Sequence, residues 1–311
     1  MVTLRARVTL CGLALFAVMP ILTAWLDQPY ALDIVMRLMC LAIAAVSLNL
    51  ILGFGGMVSF GHAAFIGIGA YAVGIPAYYG EYNGFIHIPL AMAAAALFAA
   101  VTGIICLRTR GVYFIMITLA FAQMAFFALV SIEEYGGDDG LVIYSRSEFA
   151  GLIDIEQTTS LYYLILAALI ASLYVVRRIV ESRFGRVIRG SKSNDARTQA
   201  IGFNSYKYRL TCYVISGALC GLAGALLGNF TGFISPDMMD WTRSGELIFM
   251  VVLGGAGSLF GPVLGAAAFL IIEELLSSLT IHWQIIFGPL LILMVLYGRG
   301  GIDGFLGGRH D

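Results

Sequence analysis

Charge is what this chain has least of. Asp, Glu, Lys and Arg make up 12% of its 311 residues, against about 25% in a soluble domain. So few charges cannot coat a water-facing surface when 60% of the residues are hydrophobic and the mean hydropathy is +0.90. Lipid is therefore the solvent for most of the chain. The net charge of −1 leaves no basic surface suited to nucleic acid. Cysteine is also scarce: Cys11, Cys40, Cys106, Cys212 and Cys220 each fall inside an apolar run. They read as small buried hydrophobes, not as a disulfide framework or a metal site. There is no HExxH, no paired-cysteine motif and no GxxxxGK[ST] phosphate loop. The chain thus offers no catalytic constellation and no expected cofactor, and any ATP that drives it is bound, with its Mg, by another chain.

What is present is apolar length. A membrane-crossing helix needs about 20 mainly apolar residues. Ten runs qualify in outline: 8–26, 31–52, 63–80, 88–107, 111–131, 160–177, 210–230, 245–260, 262–281 and 283–298. The first follows Arg5 and Arg7. It is long for a signal peptide and lacks an Ala-x-Ala cleavage pattern, so an uncleaved first span is the favoured reading. The expected fold is all-α: a polytopic helical membrane protein of about ten spans (8–10), forming one transmembrane domain over 1–311.

Charge placement orients this layout. Nine of the eighteen basic residues crowd into 177–209, from Arg177 to Arg209. With a cytoplasmic N-terminus and ten alternating spans, fifteen of the eighteen fall on the cytoplasmic side, among them Arg108, Arg110, Arg299 and Arg309. The segment 132–159 then faces outside, with Glu133, Glu134, Asp138, Asp139, Glu148, Asp154 and Glu156 against Arg146 alone. The positive-inside rule supports this orientation, with both termini cytoplasmic. The basic island 178–209 has two readings, a topology anchor or a docking element.

Glycine marks two kinds of site. Gly217, Gly221, Gly224 and Gly228 lie on one helix face. They read as a helix–helix seam, with a substrate-passing lining as the rival. Gly53, Gly55, Gly56 and Gly61 instead crowd a short segment, where each glycine costs a regular helix about 1 kcal/mol. A second segment, Gly254-Gly255-Ala256-Gly257-Ser258-Leu259-Phe260-Gly261-Pro262, echoes it. Near 53–62 and 254–262 the chain is expected to be broken or re-entrant, as at transporter substrate sites, or else to make tight surface turns. The candidate path residues are Gly55, Gly56, Ser59, His62, Gln123, Gly255 and Gly257. For His62, a structural role is favoured over that of a proton carrier. Arg37, Glu273 and Glu274 lie within spans and Glu246 at a span edge, so each is a functional candidate by default. For Arg37, near the outer end of its span, an interface role is favoured. Glu273 and Glu274, adjacent on a helix, point about 100° apart and do not form one carboxylate pair.

The chain resembles the permease subunits of branched-chain amino acid ABC transporters. The resemblance rests on Leu48–Phe65, on Gly67-Ile68-Gly69-Ala70-Tyr71, Arg110–Phe114, Thr118–Phe121 and Gly136–Leu141, and on Ser235-Pro236 and Val252–Ala266. It implies a subunit that is not an enzyme and that imports branched-chain amino acids across a bacterial inner membrane. It implies a second homologous permease, two cytoplasmic ATPases and a periplasmic or extracellular solute-binding protein as partners. Docking of that protein on 132–159 is one reading of the acidic segment, and ordinary external acidity is the other. The resemblance also implies a coupling helix to the ATPase over Asp195, Ala196, Arg197, Thr198, Gln199, Ala200, Ile201 and Gly202. The family often has small alanines where Arg197 and Thr198 stand, and many relatives have Glu at Gln123. Transport of urea, short amides or another amino acid is the alternative within the class. An ion-coupled secondary transporter is the alternative outside it.

Overall fold

The structure, a computed structural model, describes residues 4–26, 29–149, 155–280, 282–297 and 300–306. Asp154, Arg299 and Arg309 lie outside the described residues.

The chain is mostly helical. Its elements are α1 (Leu4–Leu26), α2 (Pro29–Asn49), α3 (His62–Tyr78), α4 (Gly84–Cys106), α5 (Val112–Val130), α6 (Thr158–Glu181), α7 (Arg183–Ser193), α8 (Asp195–Ala200), α9 (Ser205–Thr231), α10 (Trp241–Gly254), α11 (Gly261–Leu279), α12 (Trp283–Tyr297) and α13 (Gly301–Leu306). A π-helical turn over Leu50–Phe54 continues α2. One small departure from an all-α fold is the antiparallel pair of two-residue strands β1 (Leu141–Val142) and β2 (Phe233–Ile234). Each of the ten apolar runs overlaps one helix. Among the described residues six segments are long and apolar enough to cross a membrane: Tyr30–Phe54, Gly84–Cys106, Val112–Val130, Thr158–Glu181, Ser205–Thr231 and Gly261–Leu279.

The α9 helix is the hub, packing against α2, α3 and α4. Its glycine face makes this possible. A Cβ on Gly221 would stand 2.5 Å from Ala95 Cβ and 2.8 Å from the Ala91 carbonyl of α4. Gly224 lies against the Ile66 backbone of α3, and Gly217 would meet Ala99 Cβ at 2.6 Å. Gly228 is looser, with Ile234 and Ala70 at 3.4 and 3.5 Å. In lipid such close backbone approach supplies the attraction that a hydrophobic drive supplies in water.

The two ends of the bundle differ in charge. At one end lie Arg108, Arg110, α7 and α8; at the other lie Glu133, Glu134, Asp138, Asp139 and the β1–β2 pair. They are called the basic and acidic ends below. At the acidic end Arg37 pairs with Glu273 at 3.3 Å and the Tyr30 hydroxyl donates to Glu274 at 2.8 Å, tying α2 to α11.

Candidate functional site

The α2 helix runs toward the basic end and stops at the π-turn. Residues 55–61 then leave helical geometry before α3 begins at His62. Neighbours fix the depth of that start. His62 Nε2 lies 2.9 Å from Ser216 Oγ, which donates to the Ser47 carbonyl at 2.5 Å. Ser47 stands about 10 Å of helix above Phe54, and Ser216 about 16 Å above Ser205, at about 1.5 Å per residue. The α3 helix therefore starts near the middle of an apolar layer about 30 Å thick.

The other half of this arrangement is α10. Ser244, in its first turn, accepts from Ala63 N at 3.0 Å, so α10 also begins at mid-depth. Trp241–Gly254 descends from there to the basic end, while α3 climbs to the acidic end, where Tyr79 donates to Glu134 at 3.0 Å. Two short helices of 17 and 14 residues, called half-helices below, thus start beside each other and run in opposite directions. Their entry segments differ: 55–61 is non-helical, whereas 235–240 carries a 3-10 turn over Pro236–Met239. Met239 fills the space left by Gly67.

Side-chain hydroxyls satisfy two of the donors freed by the break. Phe60 N donates to Thr118 Oγ1 of α5 at 3.2 Å and Gly61 N to Ser59 Oγ at 3.2 Å. Because Ser216 spends its hydrogen on Ser47, His62 donates from Nε2. Its Nδ1 is buried without a partner, and its ring is enclosed by Phe65 and Tyr213. Tyr71 Oη and Gln123 Nε2 are also buried without partners. Ser59 is fully buried.

The two glycine-rich segments touch, but they differ in kind. The second, 255–260, is a turn joining α10 to α11 at the basic end. Gly255 packs under the Gly300 carbonyl there, where a Cβ would stand 2.7 Å away. Asn49 bridges the pair: its Oδ1 accepts from Gly257 N at 2.9 Å and its Nδ2 donates to the Ser258 carbonyl at 2.7 Å. Gly55 and Gly56 open instead onto a cavity of about 220 Å³ with Arg110, Phe114, Lys192 and Arg209.

The basic island folds over that cavity. Ser182 caps α7 by accepting from Gly185 N, and Asn194 caps α8 by accepting from Arg197 N at 2.9 Å. Gly202, at φ +98°, ends the segment in a left-handed conformation that glycine adopts without strain. Asp195 anchors α8 through ion pairs to Arg110, in the α4–α5 turn, and to Arg209 of α9 at 3.4 Å. Burial pushes its carboxyl up, but Ser205, Arg209 and Arg110 outweigh it and hold the pKa below the ordinary carboxylate value. Thr198 is buried, bonding the Asn194 carbonyl at 3.0 Å, while Ala196, Arg197, Gln199 and Ala200 face outward. Ile201 is 69% and Phe203 41% exposed, two apolar tips left uncovered on a basic surface.

A model of the branched-chain amino acid transport system permease component family matches residues 30–296. The chain belongs to this family. It is 27% identical over 93% of its length to the high-affinity branched-chain amino acid transport system permease protein LivM of Salmonella typhimurium, covering 74% of that protein. The LivM of Escherichia coli matches to the same extent. The permease protein LivH of Escherichia coli is 25% identical over 85% of this chain and 91% of its own length. No solved structure matches. In this permease, sequence reading missed the roles of Asn49, Thr118, Lys192 and Ser244 and the inward 3-10 segment 235–240. Ser235-Pro236 signalled that segment, by interrupting the apolar pattern.

Proposed function

We propose that the chain is the membrane-spanning permease of an ATP-driven importer that moves branched-chain or related hydrophobic amino acids into the cytoplasm. The family match supports the class. The observation that carries the mechanism is α8: a short capped helix with uncovered apolar tips, wired through Asp195 to the turn that opens α5. In this reading 178–209 is the cytoplasmic coupling loop, and Asp195–Gly202 docks on an ATPase subunit that holds the ATP and Mg. The acidic segment 132–159 faces outside and receives a solute-binding protein. Ten helices lie in a bacterial inner membrane, α3 and α10 each meeting at mid-depth, with both termini cytoplasmic.

The path runs between the half-helices and α5, past Gln123, His62 and Ser59 to Gly55 and Gly56, and the Gly255 and Gly257 turn braces its inner mouth. On α5 only Phe114, Thr118 and Ala122 are buried, one face at i, i+4, i+8. The remaining surface supports a seat for the second permease. Substitution of Gly202 by Trp in the reconstituted complex tests the coupling assignment. The loop is outside the bundle and no atom lies within 4 Å of a Cβ there, so the strain of a side chain at φ +98° stays local to the end of α8. The protein should therefore insert and fold, yet lose solute-stimulated ATP hydrolysis. Full stimulated hydrolysis and uptake by this variant would reduce the loop to a topology anchor.

A further inference from the structure

A second cavity, about 250 Å³, reaches from the acidic side down beside the half-helix junction, between α2, α3, α9 and α10. Its polar lining is Arg37, Thr231, Arg243 and Glu246; its apolar wall includes Leu41, Ile66, Leu247 and Met250. Arg243 pairs with Glu246 at 2.9 Å on the first turn of α10, and Arg37 pairs with Glu273 of α11 at 3.3 Å. None of these residues took part in the path described above.

Ionisable groups within spans are costly and are kept for ligands, protons or partners. Pairs that served packing alone could be replaced by apolar side chains without loss, and often with gain. Here the charges of both signs line a space beside an apolar wall. A zwitterion with an apolar side chain needs those three elements: guanidinium for its carboxylate, carboxylate for its ammonium, and a dry surface for its tail. The volume suits one small molecule, below the roughly 300–1,000 Å³ of drug-sized sites.

We propose that this cavity binds an apolar α-amino acid as its zwitterion, the carboxylate on Arg243 and Arg37 and the ammonium on Glu246, as an outer site before the half-helix junction. The proposal rests on the import reading above and deepens it by naming the residues that hold the solute. A lipid headgroup with an ammonium and a phosphate shares this chemistry, so the test separates the two sources.

The full chain is placed in nanodiscs of phosphatidylcholine, and binding of tritiated leucine is measured against leucinol, which lacks the carboxylate, and isovalerate, which lacks the ammonium. Both competitors should bind about tenfold or more weaker than leucine. Arg243→Gln should weaken leucine to the level of leucinol and remove the distinction between them. Glu246→Gln should do the same for isovalerate, and Leu41→Trp should block binding by filling the space with no charge changed. Equal binding of leucine and leucinol by the unaltered protein overturns the proposal, as does leucine binding that survives all three variants. Retention of phosphatidylethanolamine in native mass spectra that is lost in Arg243→Gln, with leucine binding unchanged, assigns the cavity to lipid and also overturns it. Leucine uptake by the assembled transporter is followed in parallel. Uptake retained in Arg243→Gln refutes the outer site and leaves the import reading standing. Absence of uptake in the unaltered transporter refutes the import reading itself, whatever the cavity binds.

Discussion

Lys192 Nζ lies 2.7 Å from the Gly53 carbonyl oxygen. This bond ties α7, on the basic surface, to the last turn of the α2 extension. A helix C-terminus leaves carbonyls without partners, and a lysine is well suited to cover one. The lysine stem also crosses Gly56, where a Cβ would stand 2.8 Å from Cγ at φ +70°.

Lys192→Met keeps the stem and removes the donor. It should destabilise the protein by about 1.5–3 kcal/mol, the range for a hydrogen bond to a charged group. Lys192→Arg should recover part of this. Thermal unfolding followed by thiol labelling of the buried cysteines measures both, and equal midpoints for all three proteins would show that the bond contributes nothing.

Asn49→Leu should cost about 1–3 kcal/mol, because Gly257 N and the Ser258 carbonyl both lose their partner. Asn49→Asp keeps the acceptor but sets a buried carboxylate against the Ser258 carbonyl, so it should cost at least as much as leucine. The ranking of the three melting midpoints checks this, and an asparagine-to-leucine change without loss refutes the bridge.

Gly221→Leu should prevent the approach of α9 to α4 and reduce the yield of monodisperse protein, since overpacking by a single group already costs about 1–3 kcal/mol. Gly288→Ala on α12 is the matched contrast. No atom lies within 4 Å of a Cβ there, and alanine favours the helix by about 1 kcal/mol. Size-exclusion profiles of the two variants should diverge, and matching profiles would contradict the seam.

The Asp195 pairs should respond to acid. The folded carboxyl titrates below its unfolded value, so the pairs contribute fully above the ordinary carboxylate range and lose that contribution as pH falls through the depressed value. The stability gap between the unaltered protein and Asp195→Asn should therefore be constant from about pH 7 to pH 5 and close below about pH 4. A gap that does not depend on pH would assign the aspartate a packing role only.

Orientation is open to impermeant thiol labelling of intact cells after Cys11, the exposed cysteine, is replaced by Ser. A cysteine at Tyr144, 92% exposed in the acidic segment, should label. One at Ser193 should not. The opposite pattern would invert the protein.

Composition alone placed the chain in lipid, and the glycine crowding around Gly53–Gly61 marked the break because a regular helix there is costly. The partner half-helix was not legible in the same way. Its entry, Asp237-Met238-Met239-Asp240, reads as an ordinary loop, and nothing local says that Met239 is inserted against Gly67. Asn49 was hidden for a different reason: both its partners lie more than two hundred residues away. Lys192 was one basic residue among nine, indistinguishable from neighbours that face water. The two echoing glycine segments looked alike because tight turns and membrane breaks both require glycine. Only depth in the bundle separates them.

The abutting starts of α3 and α10 have an electrical consequence. Each helix N-terminus carries roughly half a positive charge, but the two starts are not alike. At α10 the Asp240 carboxylate answers that charge, accepting from Trp241 N at 2.7 Å, whereas α3 starts from Gly61 with no side-chain cap. The junction therefore sets a bare positive pole beside one covered by a carboxylate. A zwitterion following the proposed path would meet that asymmetry as an orienting field and not as a barrier.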